Sequence, residues 1–142
     1  MKVLYSTEAT STGGGRDGHA ATADGTIDLD MRPPKEMGGP GGGANPEQLF
    51  ATGYAACFHS AMQHVAREKK LDVKDSTVTA RVGIGPREDA PGFALTVALD
   101  VALPSLGADE AQDLVETAHQ VCPYSNATRG NIDVELSVVE SA

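Results

Sequence analysis

Asn45-Pro46-Glu47-Gln48-Leu49-Phe50-Ala51-Thr52-Gly53-Tyr54-Ala55-Ala56-Cys57-Phe58 reads as a helix start followed by a buried face. Asn45 is a good N-cap, Pro46 suits the first helical position, and Glu47 favours the positive end of the helix dipole. Phe50, Tyr54, Cys57, Ala61 and Val65 then recur at steps of four, three, four and four, which predicts one apolar stripe on a helix reaching about Lys70. Gly53 interrupts good helix formers at a cost of about 1 kcal/mol relative to Ala. A neighbour packed close to the backbone would explain it.

Downstream of this helix the pattern changes period. Val78, Ala80, Val82 and Ile84 alternate with Thr79, Arg81 and Gly83, and Phe93, Leu95, Val97, Leu99, Val101 and Leu103 alternate in the same way. Each predicts a half-buried strand, with the turn at 86–92. Ala111, Leu114, Val115, Ala118 and Val121 predict a second helix from Ala108, which Pro123 interrupts or ends. Ile132, Val134, Leu136 and Val138 predict a last strand. Upstream, Val3-Leu4-Tyr5 and Ile27-Asp28-Leu29 are strand-like, while Gly13-Gly14-Gly15 and Ala23-Asp24-Gly25 are turn signals. The segment from Arg32 to Asn45 is too rich in Pro and Gly for a helix or central strand. A loop this long in a small protein is usually functional or lies across a partner. Strands grouped apart from helices predict an α+β fold, with two main helices packed on an antiparallel sheet. Neither an internal repeat nor a linker divides residues 1–142, which read as a single domain.

The formal net charge of −9, with no basic run longer than Arg67 to Lys70, argues against a nucleic-acid partner. No apolar stretch approaches the roughly 20 residues of a membrane span, and Met1 to Glu8 lacks the apolar core of a signal peptide. A cytoplasmic protein is therefore expected. In that compartment the two cysteines would be free, metal-bound or transiently oxidised, whereas in an exported protein they would suggest a structural disulfide.

Cys57 lies about three turns from the N-cap, beyond the reach of the dipole, and an inert core thiol is one reading of it. Cys122 ends the second helix beside Pro123, a place where a thiol can move. His119 and Cys122 have the spacing of one metal-ligand pair, and His59 and His64 lie near Cys57. No Cys-x-x-Cys accompanies them, so no metal site is expected. Gly13 to Gly18 lacks the Lys-Ser/Thr ending of a phosphate loop and reads as a loop presenting Arg16.

Several segments together resemble the organic hydroperoxide resistance proteins, whose superfamily includes the osmotically inducible peroxidases. They are Asn45 to Ala51, Gly53 to Phe58, Gly14 to Ala20, the Gly-rich loop Met37 to Gly43, and Cys122-Pro123-Tyr124-Ser125-Asn126-Ala127-Thr128-Arg129-Gly130-Asn131. Their order and spacing cover essentially the whole chain, although Thr52 stands where the pattern has Ala. Tyr124 and Asn126 favour the hydroperoxide-resistance branch over the osmotically inducible type.

The resemblance implies an intertwined homodimer with two active sites at the subunit interface. It makes Cys57 the peroxidatic thiol, Cys122 the resolving thiol, Arg16 the cation beside the thiolate, and Glu47 the carboxylate that holds Arg16. It further implies that alkyl, aryl and fatty-acid hydroperoxides are reduced without a cofactor, and that dihydrolipoyl groups on lipoylated proteins, or another dithiol, reset the enzyme. Phe50, Tyr54, Phe58 and Met62 are candidates to bind an alkyl tail, unless they serve only as core. A redox-switched binding protein is the reading from a different class.

Overall fold

The computed structural model describes residues 1–140. The chain forms two compact units, Met1–Leu49 and Phe50 onward. No linker separates them, because the division falls inside one continuous helix, α1 (Pro46–Lys69).

The first unit is a three-stranded antiparallel sheet of β1 (Ala9–Gly14), β2 (Asp17–Thr22) and β3 (Asp28–Asp30). Gly14 pairs with Asp17, leaving a two-residue turn of Gly15 and Arg16. Gly15 has φ +70° while Arg16 does not share the positive φ, the pattern of a type II′ hairpin turn. That turn fixes the register. It pairs the polar Ala9–Gly14 segment with β2 and leaves Val3-Leu4-Tyr5, expected as a strand, outside any ladder. The Gly-rich loop is ordered by its own backbone bonds, Arg32 N–H to Ala44 O and Ala44 N–H to Asp30 O, both 2.9 Å. Little in this unit is buried. Met31 is its single buried hydrophobic residue, β1 is exposed along its whole length, and Val3, Leu4 and Tyr5 lie open to solvent.

The second unit carries the core. Strands β4 (Thr77–Pro86), β5 (Phe93–Ala102) and β6 (Val134–Val139) form a sheet in that spatial order. β4 and β5 pair antiparallel as expected, but β6 runs parallel to β5 and corrects the wholly antiparallel sheet. A parallel neighbour needs a crossover, and helices α2 (Ala108–Val121) and α3 (Pro123–Thr128) supply it. Apolar alternation is the same for either strand direction, so the pattern of Ile132 to Val138 cannot reveal it.

Val97, Leu99, Val101 and Leu103 meet Tyr54, Phe58, Met62 and Val65 of α1 and Ala111, Leu114, Val115 and Ala118 of α2. Full burial of a side chain such as Phe58 or Leu99 stabilises the fold by about 1.5–3 kcal/mol.

The start of α1 is a capping box. Gln48 N–H donates to Asn45 Oδ1 at 2.9 Å, and Asn45 N–H donates to Gln48 Oε1 at 3.1 Å. Asn45→Ala removes one half of the box and is expected to destabilise the protein by about 1 kcal/mol in chemical denaturation. An unchanged midpoint would show that the cap is replaced by water.

Candidate active site

Pro123 creates the position of Cys122. A residue before proline is forced out of the helical region, and Cys122 accordingly has φ −65° and ψ 125°. Its N–H still closes the last turn of α2 on Ala118 O, while its own carbonyl accepts the first bond of α3 from Asn126 N–H, both 2.9 Å. Cys122 is thus a one-residue corner between two helices, and it is fully buried.

That corner packs on α1 beside Cys57. The Cys122 and Cys57 sulfurs lie 3.7 Å apart, and both cysteines are free. A disulfide needs about 2.05 Å, so the sulfurs have to close by only about 1.7 Å from the observed 3.7 Å. Cys57 is half-buried, at the edge of the buried stripe of α1. The stripe runs through Tyr54, Phe58, Met62, Val65 and Ala66, one position round from the predicted Phe50, Cys57 and Ala61, which are only partly covered. Burial pushes the Cys57 thiol pKa up, the backbone N–H of Tyr124 pulls it down by donating to the sulfur, and the Cys122 thiol raises it.

Tyr124 answers the question posed by Gly53. A Cβ on Gly53 would lie 2.6 Å from the Tyr124 hydroxyl and 3.1 Å from the ring. The ring stands edge-on to Phe50 at 6.2 Å between centroids and tilted to Tyr54 at 5.6 Å. Tyr124 contacts the site through both ring and amide, a role its place in the sequence did not announce. The helical glycine was the signal. Of the four residues expected to bind an alkyl tail, Tyr54, Phe58 and Met62 are 0% exposed and belong to the core. Phe50 alone keeps accessible surface. A surface concavity of about 880 Å³, lined by residues such as Arg87, Phe93 and Asn131, contains none of these side chains.

Within the first unit, Arg16 and Glu47 form the expected pair. Arg16 Nη1 donates to Glu47 Oε2 at 2.9 Å and Nη2 to Oε1 at 2.7 Å, a two-pronged match of guanidinium and carboxylate. Arg16 projects from the tip of the β1–β2 hairpin and Glu47 from the first turn of α1. Their hydrogen bonds lower the Glu47 pKa and raise that of Arg16, against an opposing effect of burial on each.

No group of three or more His, Cys, Asp or Glu residues suited to a metal ion occurs among the described residues. His119 Nδ1 instead meets Ser125 Oγ at 2.8 Å. Nor is any helix among them long and apolar enough to cross a membrane.

Residues 39–137 match the OsmC-like protein family. The chain is 52% identical over 139 residues, covering 96% of both chains, to the organic hydroperoxide resistance protein of Xanthomonas axonopodis pv. citri. The chain belongs to this family. Among solved structures, the organic hydroperoxide resistance protein OsmC of Legionella pneumophila superposes with a TM-score of 0.91 at 50% identity, covering 99% of this chain and 100% of that one. The corresponding values for OhrB, the organic hydroperoxide resistance protein of Bacillus subtilis, are 0.87, 43%, 96% and 100%. As in those relatives, the α+β architecture spans almost the entire chain.

The Arg16–Glu47 pair predicts a pH dependence. The Glu47 pKa is lower folded than unfolded, so the pair's contribution to stability is complete above the ordinary glutamate value of about 4.3. It is lost as pH falls through the depressed folded value. An NMR titration of the Glu47 carboxyl is expected to give a lower midpoint in the native protein than in Arg16→Ala; equal midpoints would contradict the pairing.

Proposed function

We propose that this chain is a thiol peroxidase that reduces organic hydroperoxides through Cys57 and Cys122 and is reset by a dithiol. The observation that carries the reading is the 3.7 Å between two free sulfurs that stand 65 residues apart in the chain. The names of its relatives supply the substrate class, since they are organic hydroperoxide resistance proteins.

The Cys57 thiolate attacks the hydroperoxide O–O bond. Its sulfur takes one oxygen to become a sulfenic acid, and the other departs with a proton as the alcohol. The Cys122 sulfur then displaces the sulfenic oxygen as water, forming the disulfide before further peroxide yields the irreversible sulfinic acid. A dithiol, a dihydrolipoyl group in this reading, transfers two electrons and two protons to restore both thiols.

The thiolate needs a cation. Burial within this chain pushes Cys57 away from ionisation. We assign the compensating charge to Arg16, which stays protonated at any working pH and is held by Glu47. Magnitude limits what ionisation can do. An ordinary thiol of pKa about 8.5 is already a few per cent thiolate near neutrality, so complete ionisation gains only roughly ten- to thirtyfold. Arg16 must therefore also stabilise charge on the departing oxygen, a contribution of about 3–4 kcal/mol if it matches other oxyanion donors.

Assembly as a homodimer in a cytoplasmic setting belongs to the same reading. Three strands with one buried hydrophobic residue make no independent core, and the exposed Val3, Leu4 and Tyr5 fit burial against a second copy. Phe50 and the half-exposed Tyr124 are the aromatic surface offered to the organic group of the substrate.

Steady consumption of cumene hydroperoxide driven by dihydrolipoamide tests the proposal, and a single stoichiometric burst would indicate a redox switch instead. Cys57→Ser is expected to abolish turnover. Cys122→Ser is expected to permit the first oxidation and then accumulate sulfinic Cys57, seen as a mass increase of the intact chain. Arg16→Ala is expected to lose more than the roughly thirtyfold that ionisation explains. A loss fully recovered at high pH would show that Arg16 only tunes the thiol.

A further inference from the structure

A buried line of polar side chains joins the three helices that carry the two sulfurs. Tyr54 Oη lies 2.8 Å from Ser125 Oγ and 3.2 Å from Thr128 Oγ1. Ser125 Oγ lies 2.8 Å from His119 Nδ1, and the Thr128 hydroxyl donates to the Ser125 carbonyl at 3.2 Å. Tyr54 and Ser125 are 0% exposed and Thr128 only 3%. Hydroxyls so deeply buried are costly unless bonded, and an apolar filler would suit a purely packing role.

The placement of these groups brackets the sulfurs. Tyr54 stands three residues before Cys57 on α1, His119 three before Cys122 on α2, and Ser125 three after Cys122 on α3. Residues three apart share a helix face, so Tyr54 lies on the side of α1 that presents Cys57. The two bonds of Ser125 therefore fasten both arms of the Cys122 corner, one to the other and to α1 a turn ahead of Cys57. Arg129 clamps the same corner from outside, its Nη2 donating to His119 O at 2.5 Å and its Nη1 to Asn126 Oδ1 at 2.6 Å. Burial and Arg129 lower the His119 pKa, which favours a neutral ring able to accept the Ser125 hydroxyl proton at Nδ1 while Ser125 accepts from Tyr54. Apolar contacts between helices tolerate small slides, whereas a chain of bonds at 2.8 Å does not.

We propose that the Tyr54–Ser125–His119 chain is a positioning device that holds Cys122 within reach of Cys57 and so sets the rate of disulfide closure, not of attack on the substrate. It rests on Cys57 and Cys122 being a redox pair, and it can be tested without any hydroperoxide.

Glutathione disulfide separates the two steps. The Cys57 thiolate first displaces one glutathione, leaving a Cys57–glutathione mixed disulfide. The Cys122 thiolate then attacks the Cys57 sulfur, forming the intramolecular disulfide and releasing the second glutathione. Acid-quenched mass spectrometry resolves the species by mass. Ser125→Ala and His119→Leu are expected to slow the second step by about tenfold or more while leaving the first unchanged. His119→Asn, whose side-chain amide reaches Ser125 from the place of Nδ1, is expected to restore it. His119 is partly exposed, so its two variants carry the test even if Ser125→Ala fails to fold. An unchanged second step overturns the proposal. So does equal slowing of both steps, or a His119→Asn protein as slow as His119→Leu, because each would mark general loosening of the fold. Failure of the peroxidase reading would show separately, as wild-type protein that closes its disulfide with glutathione disulfide yet consumes no hydroperoxide.

Discussion

The packing of a helix corner against a helix face governs this molecule. Pro123 forces Cys122 out of helical geometry, and the fully buried corner it makes is pressed onto α1. Leu114, Val115 and Ala118 on α2 and Tyr54, Phe58 and Met62 on α1 supply the apolar contact, with β5 beneath them. The 3.7 Å between the sulfurs is a consequence of that packing. Shift the corner by one residue and the two thiols no longer face each other.

Electrostatics act on this frame in opposite directions. The burial that holds the sulfurs in place also disfavours a thiolate at Cys57, and the amide of Tyr124 offsets only part of it. The proposed function assigns the compensating charge to Arg16, which within its own unit is presented on a tight hairpin turn with its guanidinium held by Glu47 through two bonds. Such a forked pair gives direction as well as charge, which a lysine could not.

Local signals were legible in the sequence, and relations between distant segments were much less so. Asn45 and Pro46 announced the start of α1, Pro123 announced the end of α2, and Gly53 announced a close neighbour. The identity of that neighbour, Tyr124, depends on how two helices meet and leaves no local trace. Direction was hidden for β6, because apolar alternation does not distinguish a parallel partner from an antiparallel one. Val3 to Tyr5 have strand character but lie outside the register set by the Gly15 turn. The expected apolar stripe of α1 was right at Tyr54 and Val65 but took in the partly covered Phe50, Cys57 and Ala61. Phe58 and Met62, left open between core and ligand contact, belong to the core. Hydroxyls such as Ser125 and Thr128 gave no warning of burial, since their type is ordinarily found at the surface. Among the site residues, the motifs that resemble the family named Cys57, Cys122, Arg16 and Glu47, and within each unit the expected partners meet.

The central claim is that Cys57 and Cys122 of one chain are a redox couple. Titration of the reduced protein with cumene hydroperoxide, followed by peptide mapping without reductant, tests it directly. One equivalent per chain is predicted to convert both thiols into a single Cys57–Cys122 cross-linked peptide within the same chain. Both thiols still free after one equivalent, or cross-links found only between different chains, would contradict it.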